Sequence, residues 1–382
     1  MFLSFTVGRR RLLIAVFLLI AVTFSGCSPT YVMRAAYEEG KILWRREPIE
    51  DALKKPDLDA KTRDQFQLVL AVREYARDQL KFNVKGSYSS YSFVDRQNLS
   101  YILMAAPKTE LKPHMWWFLV IGNVPYKGYF SQEEALAEAK KFEKNGYDTY
   151  IRTSPAFSTL GWFDDPLLAH LLRYDKVTLA DIIFHELFHN TLYVGGAGAF
   201  NESLANFVGA QAAIQFFRER WGEGSPEHLR AIEEWEEQIE FSRYLGYVAA
   251  SVTELYAKDI PDAEKLRLRE EVFSRAQKNW VEQIADRPNH RYRSFAKAQL
   301  NNAVLGHYML YFKDLDLFET VYQLNGKNLA RSIASIKDSV KTGGDPYGDV
   351  KVLAQNLEEK VLQAGNRATE SPNRVNVPGG SR

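Results

Sequence analysis

Two histidines four residues apart enclose a glutamate in the segment His185-Glu186-Leu-Phe-His189. On an α-helix this spacing puts both imidazoles on one face, with Cβ atoms about 6 Å apart. Both rings could then reach one zinc ion, because zinc binds histidine nitrogen at about 2.0–2.1 Å. Glu186 is rotated by about 100° from that face, which places it to take a proton from a water on the ion. The spacing therefore predicts a metal site with an adjacent base.

A catalytic zinc takes three protein ligands and keeps a fourth position open for water, so one more ligand is required. Glu202 is the best candidate, in the segment Asn201-Glu202-Ser-Leu-Ala205 that follows a glycine-bearing connection. Asn206 lies four residues after Glu202 on the same predicted helix face and could hydrogen-bond a ligand histidine. With Glu186 as general base, this pattern favours a zinc-dependent peptidase.

Two helices must position these side chains. Thr178 can act as the N-cap of the first, with Asp181 three residues later in the manner of a capping box. The second is predicted from about Asn201 to Trp221, where Gly222 can end it, and would bring the third ligand back to the histidines. The competing interpretation is a surface helix with two chance histidines, but the apolar surroundings favour the zinc site. These surroundings are Leu179, Ile182, Ile183, Phe184, Leu187 and Phe188, and the reversal is permitted by Gly195, Gly196 and Gly198.

The composition is that of a globular protein, with 46% hydrophobic residues, 25% charged residues and a net charge of +1. So balanced a charge gives no electrostatic case for binding nucleic acid. Cys27 is the only cysteine in the sequence. The mature body is therefore expected to have no disulfide and no thiolate ligand for zinc.

The N-terminus has the features of an exported lipoprotein. Arginines at 9–11 precede an apolar run from Leu12 to Phe24, which is short for a membrane span and suits a secretory signal. Small residues then lead to Cys27, as in the bacterial lipobox, so we predict a signal peptide over 1–26 and a lipid on Cys27. Ser28 in the next position suggests the outer membrane, facing the periplasm. The alternative is an ordinary signal peptide followed by an unrelated cysteine.

The remaining segments predict an α+β fold that is predominantly helical, with a small β-sheet unit packed against a zincin-like helical body. The expected divisions are helices at 27–81, the small α+β unit at 82–165, a zinc-binding core at 166–222, a C-terminal helical region at 223–364 and a disordered tail at 365–382. Predicted strands are Asn98–Ala106, His114–Tyr126 and Asp148–Ser154, and predicted helices include Ser131–Asn145 and Tyr292–Phe312. A run of glutamates predicts a solvated helix face at Glu233, Glu234, Glu236 and Glu237.

Several residues outside the motif are candidates for a substrate cleft. Trp162 and Phe163 could form an apolar wall, and Asp164 or Asp165 could hold a substrate amine. The alternative for this segment is a packed corner between domains. A donor to the oxyanion that forms during attack is also required. The candidates for it by residue type are His307, Tyr308 and Tyr311.

With these residues in view, the chain from Cys27 to about Gln355 resembles a bacterial lipoprotein family described as zinc aminopeptidases. The most specific matching segments are Phe157–Pro166, His185–His189 and Asn201–Ala205, with support from Gly86–Tyr91 and Val124–Phe130. The Asn-Glu-x-x-Ala element is similar to the third-ligand segment of gluzincin aminopeptidases. The resemblance implies that zinc is bound by His185, His189 and Glu202, and that Glu186 is the general base.

The connection between the two ligand segments departs from the gluzincin pattern. Only twelve residues, 190–201, separate His189 from Glu202, which is fewer than in typical gluzincins. The metzincin pattern is excluded, because Leu192 and Gly195 occupy the positions of its glycine and third histidine.

We therefore predict a lipid-anchored zinc aminopeptidase of the cell envelope, with Zn2+ as cofactor, a peptide as substrate and the membrane as its anchor. A zinc endopeptidase acting on envelope proteins would use the same metal site. Outside the enzymes, the alternative is a non-catalytic envelope lipoprotein that uses the fold for binding or assembly.

Overall fold

The computed structural model describes residues 40–93, 100–118, 122–154, 164–341 and 343–369, together with Tyr37. Within these ranges helices dominate and short strands form small sheets, which confirms the predicted, predominantly helical α+β class. The predicted signal peptide with Cys27, the cleft residues Trp162 and Phe163, and residues 370–382 of the predicted tail lie outside the described residues.

The helices are amphipathic or buried segments of varied length. In chain order they are α1 (Ile49–Ala52), α2 (Ala60–Asp78), α3 (Gln132–Lys144), α4 (Lys176–His189), α5 (Gly198–Trp221), α6 (Pro226–Tyr256), α7 (Asp262–Gln283), α8 (Asn302–Phe312), α9 (Leu315–Leu324), α10 (Leu329–Ser339) and α11 (Pro346–Thr369). Residues 40–44 are also helical, and 3-10 helices cover Ala169–Arg173 and Arg293–Lys297. Because α11 reaches Thr369, the first residues of the predicted tail are helical. In the described part of the chain, no helix combines the length and apolarity needed to cross a membrane.

The strands are short and fall into separate sheets. They are β1 (Arg46–Pro48), β2 (Ser90–Ser92), β3 (Ser100–Pro107), β4 (Trp116–Phe118), β5 (Gly122–Val124), β6 (Lys127–Tyr129), β7 (Tyr147–Ser154) and β8 (Leu167–Leu168). Strand β3 lies antiparallel between β6 and β7, and α3 packs on this sheet. The predicted strand His114–Tyr126 is instead the antiparallel pair β4 and β5. Strand β2 joins β1 to β8, so one sheet uses strands from three of the predicted divisions.

Helix α4, which carries the two histidines, crosses the main core. Its Phe184 ring contacts Tyr75 on α2 and Phe216 on α5, with centroids 6.1 and 5.8 Å apart. Ile183, Phe184 and Leu187 are fully buried. The apolar residues that surround the motif thus fix α4 between α2 and α5. The backbone positions of the two histidines are fixed with it.

The start of α4 differs from the predicted one. Asp175, and not Thr178, is the N-cap, since its Oδ1 accepts hydrogen bonds from the backbone N–H groups of Val177 and Thr178, both at 3.0 Å. The Thr178 hydroxyl donates to the same carboxylate at 2.9 Å. A carboxylate at this end also interacts favourably with the positive end of the helix dipole, and Asp181 is left free for another role.

The predicted single helix from Tyr292 to Phe312 is wrong. After the 3-10 helix the chain is extended at Ala298, and Asn301 caps α8 by accepting from the Val304 N–H at 2.8 Å. Gln277 on α7 donates to the carbonyls of Phe295 and Ala298. These side-chain bonds offer the backbone an alternative to the helix.

The predicted solvated face at 233–237 is half wrong. Glu233 and Glu236 are exposed, but Glu234 and Glu237 are only 5% and 6% exposed. Glu234 pairs with Arg230 at 2.9 Å and with Arg291 at 2.6 Å. Glu237 accepts the backbone N–H of Arg291 at 3.0 Å. Arg230 lies on the same helix, but Arg291 comes from the chain beyond α7, which local charge patterning could not reveal.

Candidate metal centre

The structure brings His185, His189 and Glu202 together. The Nε2 atoms of the two histidines are 3.2 Å apart, and Glu202 Oε2 lies 3.3 Å from the first and 3.8 Å from the second. The three potential ligand atoms all lie within 4.8 Å of one another. His189 and His185 are 6% and 9% exposed, so the donors face each other in a nearly buried position.

These separations fit a bound cation. A tetrahedral ion about 2.0–2.2 Å from each nitrogen and oxygen donor holds the donors about 3.3–3.6 Å apart. The observed distances of 3.2, 3.3 and 3.8 Å bracket that range. Two imidazoles and one carboxylate are also a donor set that divalent transition metals accept. The group can therefore hold a metal ion without rearrangement of its backbone.

The charges of the three groups depend on one another. Burial opposes protonation of His185, but its hydrogen bond to Glu202 and the charges of Glu186, Glu202 and Asp181 outweigh burial and raise the pKa to about 9. Burial lowers the pKa of His189 to about 4. Burial would raise the pKa of Glu202, yet the two imidazoles hold it below its usual value. His185 thus holds a proton in its hydrogen bond to Glu202. A cation that binds both side chains must displace this proton.

A side-chain clamp sets the short connection between the two helices. Asn201 Oδ1 accepts the Val194 N–H and Asn201 Nδ2 donates to the Val194 carbonyl, both at 2.8 Å. Gly196 within the loop has φ of +77°, where a side chain would be strained. The clamp explains the asparagine that precedes the ligand glutamate and shows how twelve intervening residues, 190–201, suffice.

Gly209 allows α4 and α5 to approach closely. A Cβ on this residue would lie 2.6 Å from Asp181 Oδ1, 3.0 Å from the Asp181 carbonyl oxygen and 3.3 Å from His185 Cβ. Gly209 lies seven residues after Glu202, two helical turns along the same face of α5. The missing side chain is therefore a condition for Glu202 to reach the histidines.

Tyrosines surround the metal-binding group on the side of α8. Burial, followed by the charge of Glu202, raises the pKa of Tyr126, Tyr193 and Tyr311. The charge of Glu186 also acts on Tyr311, as it does on Tyr88. The Tyr311 hydroxyl accepts a hydrogen bond from Arg152 Nη2 at 3.0 Å. Tyr311 is thus the predicted oxyanion donor whose pKa responds to the charges of both Glu202 and Glu186.

The other predicted oxyanion donors differ in position. Tyr308 packs against a second buried apolar cluster that includes Phe241 and Phe295. The centre of its ring lies 5.4 Å from that of Phe241 and 5.6 Å from that of Phe295. His307 lies beside Tyr311, with centroids 5.4 Å apart, and its pKa responds to Arg152 and Glu202 after burial. Tyr308 is therefore a core residue, whereas His307 belongs to the surroundings of the metal-binding group.

The two aspartates of the predicted cleft have separate positions. Asp164 Oδ1 accepts the Gly86 N–H at 2.8 Å, and a Cβ on Gly86 would lie 2.4 Å from its Oδ2. Asp164 therefore fixes a loop, as a packed corner requires. The Asp165 carbonyl accepts the Tyr88 N–H at 2.8 Å. Asp165 and Glu186 both act electrostatically on Tyr88, in addition to the larger effect of burial.

Among the described residues, Asn206 does not make the predicted hydrogen bond to a histidine. Its Nδ2 donates to the Tyr311 carbonyl at 2.7 Å, and His189 Nδ1 is buried without a hydrogen-bond partner in this part of the chain. Asn206 instead ties α5 to α8, which keeps Tyr311 close to the metal ligands.

Sequence reasoning missed Asp181, Arg152 and Gly209 as parts of this site. Asp181 carried a detectable signal, because it precedes His185 by four residues and so lies on the ligand face of α4. Arg152 lies on β7, opposite Ile102 of β3, and Gly209 lies inside α5. Neither of these had a local signal, since each acts on an element distant in sequence.

Comparison with known proteins gives one match. Residues 30–343 match the model of a protein family described as "Putative aminopeptidase". No curated protein and no solved structure matched the chain significantly.

Proposed function

Because the chain belongs to the family described as "Putative aminopeptidase", we propose that it is a zinc-dependent aminopeptidase. The observation that carries this proposal is the convergence of His185, His189 and Glu202, whose donor atoms lie within 4.8 Å of one another. Family membership supports peptide hydrolysis, and the donor set supports a metal-dependent form of it.

Zinc is the proposed ion because two histidines with one glutamate form a ligand set of catalytic zinc sites, with one position left for water. Bound there, it would polarise the peptide carbonyl and make water a nucleophile near neutral pH. The three grouped residues offer two nitrogen donors and one oxygen donor.

The remaining chemistry falls to two side chains of the protein. Glu186 takes the proton of the attacking water and returns it to the leaving amine. Tyr311 keeps its proton, since burial and then the charge of Glu202 raise its pKa, and it donates a hydrogen bond to the oxygen that becomes negative during attack. Arg152 already donates to the Tyr311 hydroxyl, so the tyrosine's own proton remains available.

An aminopeptidase must also hold the free α-amine of its substrate. We assign this role to Asp165, which acts on the same buried tyrosine, Tyr88, as Glu186 does. The proposal extends to the envelope: Cys27 would carry the lipid that anchors the protein to the outer membrane, with the enzyme facing the periplasm. The support for this anchor is the N-terminal sequence pattern.

Metal content and peptide hydrolysis of matched variants test the proposal. Wild type and Glu186→Gln should each hold one zinc per chain after dialysis, whereas His185→Ala and Glu202→Ala should lose it. Glu186→Gln should lower kcat by about 10²–10⁴-fold, because a general base contributes about that much. Hydrolysis should require a free amine and disappear when the reporter peptide is N-acetylated.

Three results would contradict parts of this proposal. Equal turnover by wild type and Glu186→Gln would remove the base. Cleavage of N-acetylated peptides would favour an endopeptidase of envelope proteins. Stoichiometric zinc without cleavage of any peptide library would favour a non-catalytic binding lipoprotein.

A further inference from the structure

A polar cluster lies beside the metal-binding group on the side of the small sheet. Arg152 comes from β7, while His307 and Tyr311 lie one turn apart on α8. Arg152 Nη2 donates to the Tyr311 hydroxyl at 3.0 Å, and its guanidinium carbon lies 5.8 Å from the centre of that ring. The His307 ring is 5.2 Å from the Tyr150 ring and 5.4 Å from the Tyr311 ring. The proposed mechanism uses only Tyr311.

Two nitrogen atoms of this cluster are buried and lack partners. Among the described residues, neither Arg152 Nε nor His307 Nδ1 has a hydrogen-bond partner. Buried polar atoms in native proteins nearly always find one, so an unpaired atom points to a missing water, ion or ligand. Two such atoms around one tyrosine, beside the metal-binding group, indicate a place where a polar ligand group binds.

The charge of Arg152 is also unpaired in the described part of the chain. Arg269, the other arginine near this sheet, pairs with Asp148 of β7 at 2.7 Å. No described carboxylate lies within the 4.0 Å ion-pair distance of Arg152. Its positive charge nevertheless reaches the centre, where it lowers the pKa of Glu202 in addition to the effect of the histidines.

We infer that Arg152 binds a carboxylate group of the peptide substrate. A guanidinium binds a carboxylate through two parallel N–H donors, and Arg152 keeps its Nε edge free for this while Nη2 is steadied by Tyr311. Arg152 donates to Tyr311, whose carbonyl accepts from Asn206, one helical turn after Glu202. The carboxylate therefore belongs to a residue close to the scissile bond. The inference rests on the proposed peptidase function and names its substrate class, short or acidic peptides.

His307 fits the same ligand. Burial, and after it the charge of Arg152, lowers its pKa to about 3, so the ring is neutral at physiological pH. A neutral imidazole can donate one N–H to the second oxygen of a carboxylate without adding a proton-dependent charge. The cluster therefore offers one charged fork and one neutral donor.

Equilibrium binding to zinc-loaded Glu186→Gln tests the inference without relying on turnover. The dipeptide Ala-Phe should bind at least about tenfold more tightly than its C-terminal amide, because a hydrogen bond to a charged group contributes about 1.5–3 kcal/mol. Ala-Asp-amide and Ala-Asn-amide distinguish a side-chain carboxylate from a terminal one. In Glu186→Gln/Arg152→Gln the preference should vanish, while the affinity for the amides stays the same.

Two further variants separate recognition from structure. Arg152→Lys should keep part of the preference, because lysine carries the charge without the fork. Arg173→Gln is the matched control, since Arg173 also donates to a tyrosine hydroxyl, that of Tyr174 at 3.3 Å, and lies over its ring. It should retain the full preference.

The outcomes are distinguishable from failure of the peptidase proposal. Equal binding of both members of each peptide pair, or a preference that survives Arg152→Gln, would overturn the role of Arg152. A uniform loss of affinity for all four peptides would show that Arg152 only positions Tyr311. A carboxylate preference in Glu186→Gln, with no cleavage by wild type, would support Arg152 and refute the peptidase.

Discussion

At the residue scale, a proton and a metal ion would compete for His185, one of the three proposed ligands. Its Nε2 lies 3.3 Å from Glu202 Oε2, and the nearby carboxylates outweigh burial to raise its pKa to about 9. A histidine must be neutral to bind a metal. Metal binding would therefore displace the proton that otherwise holds His185 and Glu202 together.

This competition predicts a pH dependence of metal affinity. Below pH 9 His185 is protonated in the metal-free protein, so affinity should fall by about tenfold for each unit that the pH decreases. Zinc titrations against a chromophoric chelator at pH 6.5, 7.5 and 8.5 measure the slope. Calorimetry in buffers of different ionisation enthalpy should show release of about one proton. A pH-independent affinity would contradict the shared proton.

The motif residues themselves were predictable, because their chemistry depends on spacing within one helix. His185, Glu186 and His189 follow from helix geometry alone. Asn206 shows the limit of that reasoning: its position on the ligand face is right for a bond to histidine, but its amide bonds the Tyr311 carbonyl. The helix face of a side chain can be predicted from sequence spacing. Its hydrogen-bond partner cannot, because that partner lies on an element whose position the sequence does not reveal.

At the element scale, the close approach of α5 to α4 decides whether Glu202 reaches His185 and His189. The Asn201 clamp fixes the turn, and Gly209 lets the two backbones come close over Asp181 and His185. A glycine inside a helix costs stability relative to alanine. Its presence in α5 is explained by the close contact that it permits.

Gly209→Ala tests this contact. The added Cβ would lie 3.0 Å from the Asp181 carbonyl oxygen, so we expect the helices to separate, with a loss of about 1–3 kcal/mol in the free energy of unfolding. Zinc affinity should fall as well, because Glu202 moves away from the histidines. Urea denaturation of the metal-free protein and chelator competition measure the two effects.

Gly246→Ala is the control for that variant. Gly246 also lies inside a helix, α6, but an added Cβ would meet nothing within 4 Å. This change should stabilise the protein by about 0.5–1 kcal/mol through helix propensity and leave zinc affinity unchanged. Wild-type zinc affinity in Gly209→Ala would show that α5 does not need the close approach.

At the scale of the whole molecule, the site is assembled from parts distant in sequence. Asp148 of β7 pairs with Arg269 of α7 at 2.7 Å and accepts the Asn302 N–H of α8 at 3.0 Å. Asn302 Nδ2 also donates to the Pro107 carbonyl at 2.8 Å. These bonds hold the small sheet against α8, and thereby bring Arg152 to Tyr311.

A second network joins α6 to the chain that follows α7. Glu234 on α6 joins Arg230 to Arg291, which follows α7 in the chain. Burial raises the pKa of Asp181 to about 6, and the positive charge of Arg291 opposes this rise. The network therefore links the packing of α6 to Asp181, which lies one helical turn before His185.

Glu234→Ala should destabilise the protein by about 1–3 kcal/mol, because it removes the hydrogen bonds of a buried carboxylate to Arg230 and Arg291, whose side chains are 47% and 32% exposed. Glu233→Ala is the control: Glu233 pairs with the same Arg230, but its side chain is 58% exposed, and exposed pairs contribute about 0–1 kcal/mol. Urea denaturation of both variants measures the difference. Equal effects would mean that the buried network adds no stability.

The sequence by itself determined the helix that carries His185, Glu186 and His189, the following helix that carries Glu202, and the predominantly helical α+β class. These depend on local spacing, capping and apolar periodicity, which act over a few residues. The tertiary structure alone decided that Glu234 is buried and that Arg152 lies beside Tyr311. Each of these depends on which distant element supplies a hydrogen bond or an opposite charge, and no local pattern encodes that choice.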